Sequence, residues 1–443
     1  MGFLRPWRAW MFLFLLLAGM TLLAAWRLGL WKAARATAPV AAWEEAKVPA
    51  GTDEQKLVAA NNAFALNLYG RLKETPGNLV FSPYSLSTAL SMTLGGARGG
   101  TEAQMAKVLR LDLPRETLHP AAAAIVRKIA GGEKGSPQPP GDGCEIVVAN
   151  SLWGQKGHPF LPEFLALLKD RYGAESREAD FKAAPDPARA AINAWAEEKT
   201  KGKVKDLISP GLLTPITRLV LANAVHFKGV WEHEFDREFT SDAPFRLSAG
   251  GVVSVPLMHQ LEVFRYWEGK GLQALEMPYG EGHFSMLVLL PRRPDGLPGL
   301  DALLTPGRLA AIEKGMQGKD VEVFLPRFRI EPPTSRLEQA LAALGMPDAF
   351  EPGKADFSGV NGKKPPHPES LFIHFIVQKA SVDVDERGTE AAAATAIGLS
   401  AAESLEPPPP PPVFRADRPF LFLVRHRETG AILFMGRVTN PKG

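Results

Sequence analysis

DVDERGTEAAAATAIGLSAAESLEPPPPPP, residues 383–412, is the stretch on which the reading of the whole chain turns. Val382 and Val384 alternate with Asp383 and Asp385 as in a half-buried strand. Gly388 breaks that pattern, and Thr389, Ala391, Ala392, Ala393, Ala394, Thr395 and Ala396 follow, all small. An Ala-rich run is ordinarily a helix, but this one is short and carries no large apolar residue to dock it. Read as a strand, Thr389, Ala391, Ala393 and Thr395 point to one side, and each is small enough to enter between neighbouring strands. No proline interrupts Ser381–Glu406, so every backbone N–H there can join a ladder; from Pro407 to Pro412 none can. The segment reads as a strand that has yet to enter its sheet.

Other segments extend the pattern. LVFSPYSLSTALSMTLGGARGGTEAQM (79–105), LANAVHFKGVWEHEF (221–235), LEMPY (275–279), FSMLVLLP (284–291), LPRFRIE (325–331) and FRADRPFLFLVRHRETGAILFMGRVTNP (414–441) follow in order. Together with 383–412 they resemble the serpin family over about 390 residues: its buried helix, the third strand of its large sheet, paired central strands, the strand beside the hinge and the C-terminal signature.

Composition sets bounds. The chain has 443 residues, 45% of them hydrophobic, which is ample for a large core. The net charge of +3 is too small to argue for nucleic acid. Lys199, Lys201, Lys203 and Lys205 read as a solvated helix end in preference to a polyanion site. Cys144, the only cysteine, excludes an intramolecular disulfide and lies in an apolar run suited to a buried thiol.

The N-terminus is a separate object. Trp10 to Trp26 carries no charge and is flanked by Arg5, Arg8, Arg27, Lys32 and Arg35. Its 17 residues suit a signal-peptide core or a marginal membrane span. The expected organisation is therefore a signal peptide or anchor over 1–32, an Ala/Pro-rich tether over 33–52 and one domain over 53–443, exported or held outside the cytoplasm.

Periodicity predicts helices over 53–74 (capped by Asp53), 83–95, 102–110, 116–130, 160–171, 187–200 and 334–345. Strands are predicted over 144–153, 217–227, 263–267, 272–278, 284–291, 320–330, 371–386, 420–426 and 431–437, with a surface loop at 131–143. Helices gather early and strands late, which points to an α+β fold. The resemblance implies a large, mostly antiparallel central sheet, surrounding helices, smaller sheets and an exposed reactive-centre loop.

It also assigns roles. Glu386, Gly388, Thr389, Glu390, Ala391, Ala392, Ala393, Ala394 and Thr395 match the hinge, with Arg327 as the basic partner of Glu386. Ser82, Ser85 and Asn223 match a polar cluster under the sheet where strands part. Gln378 stands where the family usually has His, which removes pH switching by that residue. Trp231 matches the aromatic residue where insertion begins. Counting the family's usual loop spacing from Glu386 places the cut between Ala402 and Glu403. The distal arm is longer than usual, through the proline run, so Leu399-Ser400 and Leu405-Glu406 stay open as alternatives. No Lys or Arg lies between Arg387 and Arg415, which favours elastase-like or subtilisin-like targets.

No G-x-S-x-G, H-E-x-x-H, P-loop or C-x-x-C occurs, and His226, His233 and His259 lack metal spacing. Asp383, Asp385 and Glu386 lack the further ligands a Ca²⁺ site needs. The expectation is no catalytic constellation, cofactor or metal. The implied activity is suicide-substrate inhibition of serine proteases, with cysteine proteases a second class, by a monomer that forms a covalent complex with its target. A non-inhibitory carrier or chaperone of the same fold is the alternative.

Overall fold

The computed structural model describes residues 51–130, 144–158, 160–248, 250–269, 271–332, 334–389 and 410–443. The expected export segment, nearly all of the tether, the 131–143 loop and every position from Glu390 through Glu406 lie outside these residues.

Two sheets organise the molecule. The first runs β1 (Leu79–Phe81), β17 (Ala431–Val438), β16 (Phe420–His426), β8 (Phe284–Pro291), β7 (Leu272–Tyr279), β6 (Val252–Glu268), β9 (Gln317–Pro326) and β15 (Val413–Arg415), with β5 (Ser241–Arg246) on β6. Its central strands are buried on both faces, as their unbroken apolar runs require. Leu287 and Leu289 of β8 face one core, and Met286, Val288 and Leu290 face another. The second sheet runs β10 (Phe328–Ile330), β13 (Val382–Asp385), β14 (Gly388–Thr389), β4 (Leu219–Val230), β12 (Phe375–Lys379) and β11 (Ser335–Arg336). Beside β4 lie β2 (Glu145–Gln155) and β3 (Glu175–Ala179). Helices Asp53–Leu72, Pro83–Leu94, Gly99–Val108, Arg115–Ile129, Pro162–Tyr172 and Pro185–Lys199 precede most of the strands, and the architecture is α+β.

Several boundaries differ from the periodicity, each for a local reason. The first helix is capped by Thr52, not Asp53: Thr52 and Gln55 bond reciprocally as a capping box. The 320–330 run is two strands. β9 ends at Pro326 in the first sheet, the Arg327 amide bonds to Pro256, and Phe328 begins pairing in the second sheet. Residues 371–386 likewise split at Ala380-Ser381, because their two halves pair with different neighbours. β6 extends back to Val252, well before the predicted 263. Cys144 is buried in the core, at 1% exposure.

His119 sits on the Arg115–Ile129 helix, 2.7 Å from the Tyr172 hydroxyl. Burial, then the charges of Arg115 and Arg171, lowers its pKa to about 4; burial also lowers His374 and His426. Below the ordinary value of 6.5 the unfolded chain takes up these protons first, so stability is full above pH 6.5 and is lost as pH falls toward 4. His119 alone accounts for ~3 kcal/mol of that loss at ~1.36 kcal/mol per tenfold step. Melting measured between pH 7 and 4 should show this decline, and His119→Gln should flatten it. An identical pH slope in the variant refutes the assignment.

Candidate strand-insertion site

The second sheet is closed at one end and parted at the other. At the closed end β12 pairs directly with β4 in parallel, from Phe375↔Val220 to Lys379↔Ala224. At the far end β13 does not reach β4. Gly388 and Thr389 fill the gap, antiparallel to both: Val384↔Thr389 on one side and Thr389↔Gly229 on the other. Between lies a cleft of about 70 Å³ lined by His226, Phe227, Ser381, Val382 and Thr389, among others.

The turn that delivers Thr389 is held from every side. The Trp231 amide donates to the Arg387 carbonyl at 2.7 Å, the Phe235 amide to the Glu386 carbonyl at 2.8 Å, and Trp231 Nε1 to the Asp385 carbonyl at 3.1 Å. Gly388 has φ +142°, and a Cβ there would stand 2.1 Å from the Gly229 carbonyl oxygen, so only glycine fits. The Thr389 hydroxyl meets the Tyr279 hydroxyl at 2.9 Å, and Tyr279 stacks on Trp231 with centroids 4.3 Å apart. Burial of Tyr279 holds its phenol far above the ordinary tyrosine range.

Glu386 is 1% exposed. It accepts from Arg327 Nε at 2.6 Å and from the Thr240 hydroxyl at 2.6 Å. Burial alone raises the carboxyl pKa, but these hydrogen bonds outweigh it and hold Glu386 below its ordinary value.

Beneath the closed end lies a polar row. Asn223 of β4 is registered with Gln378 of β12 on one side and with Asn150 of β2 on the other. Gln378 Nε2 donates to Asn223 Oδ1 at 2.7 Å and to the Ser82 carbonyl at 3.0 Å, while its Oε1 accepts from the Ser82 amide at 2.9 Å. Asn223 Nδ2 donates to Ser85 Oγ and to Asn150 Oδ1. Ser82 caps the Pro83–Leu94 helix and donates to the Leu433 carbonyl at 2.7 Å. All five side chains have partners, as a buried cluster must.

The structure thus brings together Ser82, Ser85, Asn223 and Gln378 in one group and Trp231, Arg327, Glu386, Gly388 and Thr389 in another. Sequence reasoning missed Asn150, Thr240 and Tyr279. Asn150 and Tyr279 belong to strands it found, but nothing in their periodicity marks them as polar partners. The basic run is neutralised locally: Lys199 pairs with Glu175, Lys201 with Glu145 and Lys205 with Glu197. Among the described residues no group of His, Cys, Asp or Glu is placed to hold a metal ion.

Comparison with known proteins bears on this geometry. A family model described as Serpin (serine protease inhibitor) matches residues 59–441. Leukocyte elastase inhibitor A of Rattus norvegicus is 39% identical over 397 residues, covering 87% of this chain and all of that protein. An uncharacterized serpin-like protein of Thermococcus kodakarensis is 38% identical over 389 residues, covering 88% and 87%. The crystal structure of Serpin48, a highly specific serpin of the insect Tenebrio molitor, is similar with TM-score 0.76 at 32% identity, covering 88% and 99%.

Arg327→Gln should leave the buried Glu386 without its cation. The loss of a charge-assisted bond, ~1.5–3 kcal/mol, should lower Tm by several degrees. Because the Glu386 pKa is depressed in the folded chain, its stabilisation is present above the carboxylate range and is lost as pH falls through it. The variant should therefore differ most from the parent above pH 5, and melting curves at pH 4 and pH 7 check this. An equal difference at both pH values rules the pairing out as the cause.

Proposed function

The chain belongs to the serpin family of protease inhibitors, and from that premise we propose that Glu386–Thr395 is the hinge of a reactive loop cut between Ala402 and Glu403. The observation that carries this reading is the seat of Gly388 and Thr389, already antiparallel between β13 and β4, at the end where the sheet is parted.

The target's nucleophile attacks the Ala402 carbonyl, the bond to Glu403 breaks with its amine protonated as it leaves, and Ala402 is held as an ester or thioester. The freed segment then enters the sheet. Continuing the register of Thr389 with Gly229 puts Ala391 beside Phe227, Ala393 beside Val225 and Thr395 beside Asn223. Continuing that of Thr389 with Val384 puts Thr395 beside Gln378. The inserted hydroxyl thus arrives between the two amides whose mutual bond insertion breaks. Inhibition is a race between this entry and hydrolysis of the acyl-enzyme. The side chain before the cut is a single methyl, which suits a shallow apolar pocket of the elastase or subtilisin type. The inhibitor acts as a monomer through one protease at a time.

Incubation with pancreatic elastase or subtilisin and a denaturing gel tests the reading: an inhibitor leaves a covalent complex, and the released fragment begins at Glu403. A fragment beginning at Ser400 or Glu406 moves the bond to Leu399 or Leu405; no complex with either enzyme overturns the reading. Thr389→Arg buries an unpaired guanidinium on entry, at a cost of several kcal/mol, and should turn most of the inhibitor into cut product. Thr395→Val should do so more mildly, without changing the melting of the uncut chain.

The hydrophobic segment 10–26 would export the domain or tether it outside the cytoplasm. Among the described residues no helix is long and apolar enough to cross a membrane. Fractionation of expressing cells tests this, and a wholly cytoplasmic full-length chain counts against it.

A further inference from the structure

The strands β6, β9 and β15 of the first sheet leave one face exposed. Register places His259 beside Phe324 and Arg415, Leu261 beside Glu322 and Val413, and Val263 beside Asp320, so these side chains share a face. The residues between them, Val321, Val323 and Phe414, point the other way and are buried in the core. On the exposed face Val263 is 59% exposed, Leu261 54% and Val413 47%; Phe239, from the turn Arg237–Phe239 at its margin, is 61% exposed. Seven large apolar side chains are exposed among the described residues, and these four stand together. Scattered ones need no account, but a gathered set marks a surface that something covers.

The set is also held in place. The His259 ring stacks on Phe324 with centroids 4.5 Å apart, and the Arg415 guanidinium lies 4.5 Å from the centre of the same Phe324 ring. Phe239 meets His259 edge to face at 6.4 Å, and His259 Nε2 lies 3.2 Å from Glu322 Oε1. Aromatic and Arg side chains fixed in advance make good interface anchors, because little rotamer freedom remains to be lost. The Pro412 carbonyl accepts from the Glu322 amide at 3.0 Å, so the distal arm of the loop runs directly onto this face. From Glu403 to Pro412 that arm has ten residues and spans at most about 33 Å. A protease of about 250 residues has a radius of gyration of about 18 Å and is roughly 45 Å across. An enzyme joined at Ala402 is wider than the arm is long, and it overhangs the surface into which the arm runs.

We propose that this face is a second contact for the target protease: the enzyme that takes Ala402 into its cleft lays an apolar patch beside that cleft on Phe239, Leu261, Val263 and Val413, with Arg415 at the rim. The contact is non-covalent and precedes the cut. A shallow apolar pocket recognises little more than the Ala402 methyl, and the face adds a second, independent choice among enzymes that share such a pocket. The proposal rests on the reading that places the cut bond in the 390–409 segment.

The test is the second-order rate constant at which the full chain is consumed, as complex plus cut product, by pancreatic elastase and by subtilisin. The double variant Phe239→Ala, Leu261→Ser should lower it roughly tenfold or more with at least one enzyme, the scale of losing an interface anchor. The ratio of cut inhibitor to complex should stay unchanged, because the contact acts before the acyl-enzyme forms, and the uncut chain should melt as the parent does. Val263→Thr, nearly equal in volume, should lower the rate in the same direction and decides the matter if the double variant does not fold. Rates equal to the parent's with both enzymes overturn the proposal. A faster rate in the variant assigns the face to the uncut loop, and a dimer of the parent that the variant loses in sedimentation assigns it to a second copy; either overturns it too. A parent chain that is cut without forming complex defeats the inhibitory reading, while the rates of cutting still decide the contact.

Discussion

The parallel ladder between Phe375–Lys379 and Val220–Ala224 is the contact on which the rest of the structure depends. Parallel pairing is slightly weaker per residue than antiparallel pairing, and this ladder joins strands that are far apart in sequence. A strand that enters between them replaces one parallel pairing with two antiparallel ones, as Gly388 and Thr389 already do at the parted end. At ~0.5–1.5 kcal/mol for each net hydrogen bond, a strand of about ten residues bonded on both sides gains on the order of 10 kcal/mol. The uncut chain forgoes that gain because its loop is joined to Val413, which is already paired with Glu322 of β9 in the other sheet.

Position along the ladder separates two roles. At the parted end everything serves to hold the turn: three carbonyls at 385–387 accept bonds, Glu386 is neutralised by Arg327, and Gly388 occupies a place no side chain could. At the closed end the polar row crosses three adjacent strands, and its bonds run through amide groups that can exchange partners. Gln378 suits this place. Its amide both donates and accepts, and it carries no charge at any pH, so the row holds together over the whole range in which His119 and its like take up protons.

Much of this was legible in sequence where the signal was local. Strands such as Phe284–Pro291 and Phe420–His426 matched their predicted bounds because both faces are buried and the apolar run is continuous. Ends of the first six predicted helices fell within about three residues, whereas the short helices Leu297–Leu303 and Pro306–Gly315 were missed although Thr305 and Pro306 mark the start of the second. What escaped was set by partners remote in sequence. The split at Arg327 reflects a strand that leaves one sheet for the other, and the split at Ala380-Ser381 reflects two halves with different neighbours. Short strands such as Leu79–Phe81 and Val413–Arg415 have too few residues to show alternation and exist because an edge was waiting for them. The same holds at the site. Gly388 and Thr389 stand out by composition, whereas Tyr279 and Asn150 acquire their roles only when three strands come into register.

The small residues after Gly388 can be understood from that register. The gap they would fill opens over Phe227 and Val225, both fully buried and packed with Tyr279 and Phe284 in the core. A close-packed interior of this kind gives way for a methyl and not for a larger group, which on the proposed insertion would suit Ala391 and Ala393. Opposite Asn223 the demand reverses. Parting β4 from β12 severs the Gln378–Asn223 bond, and an inward methyl there would leave Asn223 Oδ1 without its donor, while Gln378 keeps its bonds to the Ser82 backbone and Asn223 Nδ2 its bonds to Ser85 and Asn150. On the proposed insertion Thr395 would bring a hydroxyl able to donate to the Asn223 oxygen and accept from the Gln378 amide. On the insertion proposed above, the order Thr, Ala, Ala, Thr at alternate positions would follow the order of surroundings along the gap: the Tyr279 hydroxyl, two apolar contacts, then the polar row.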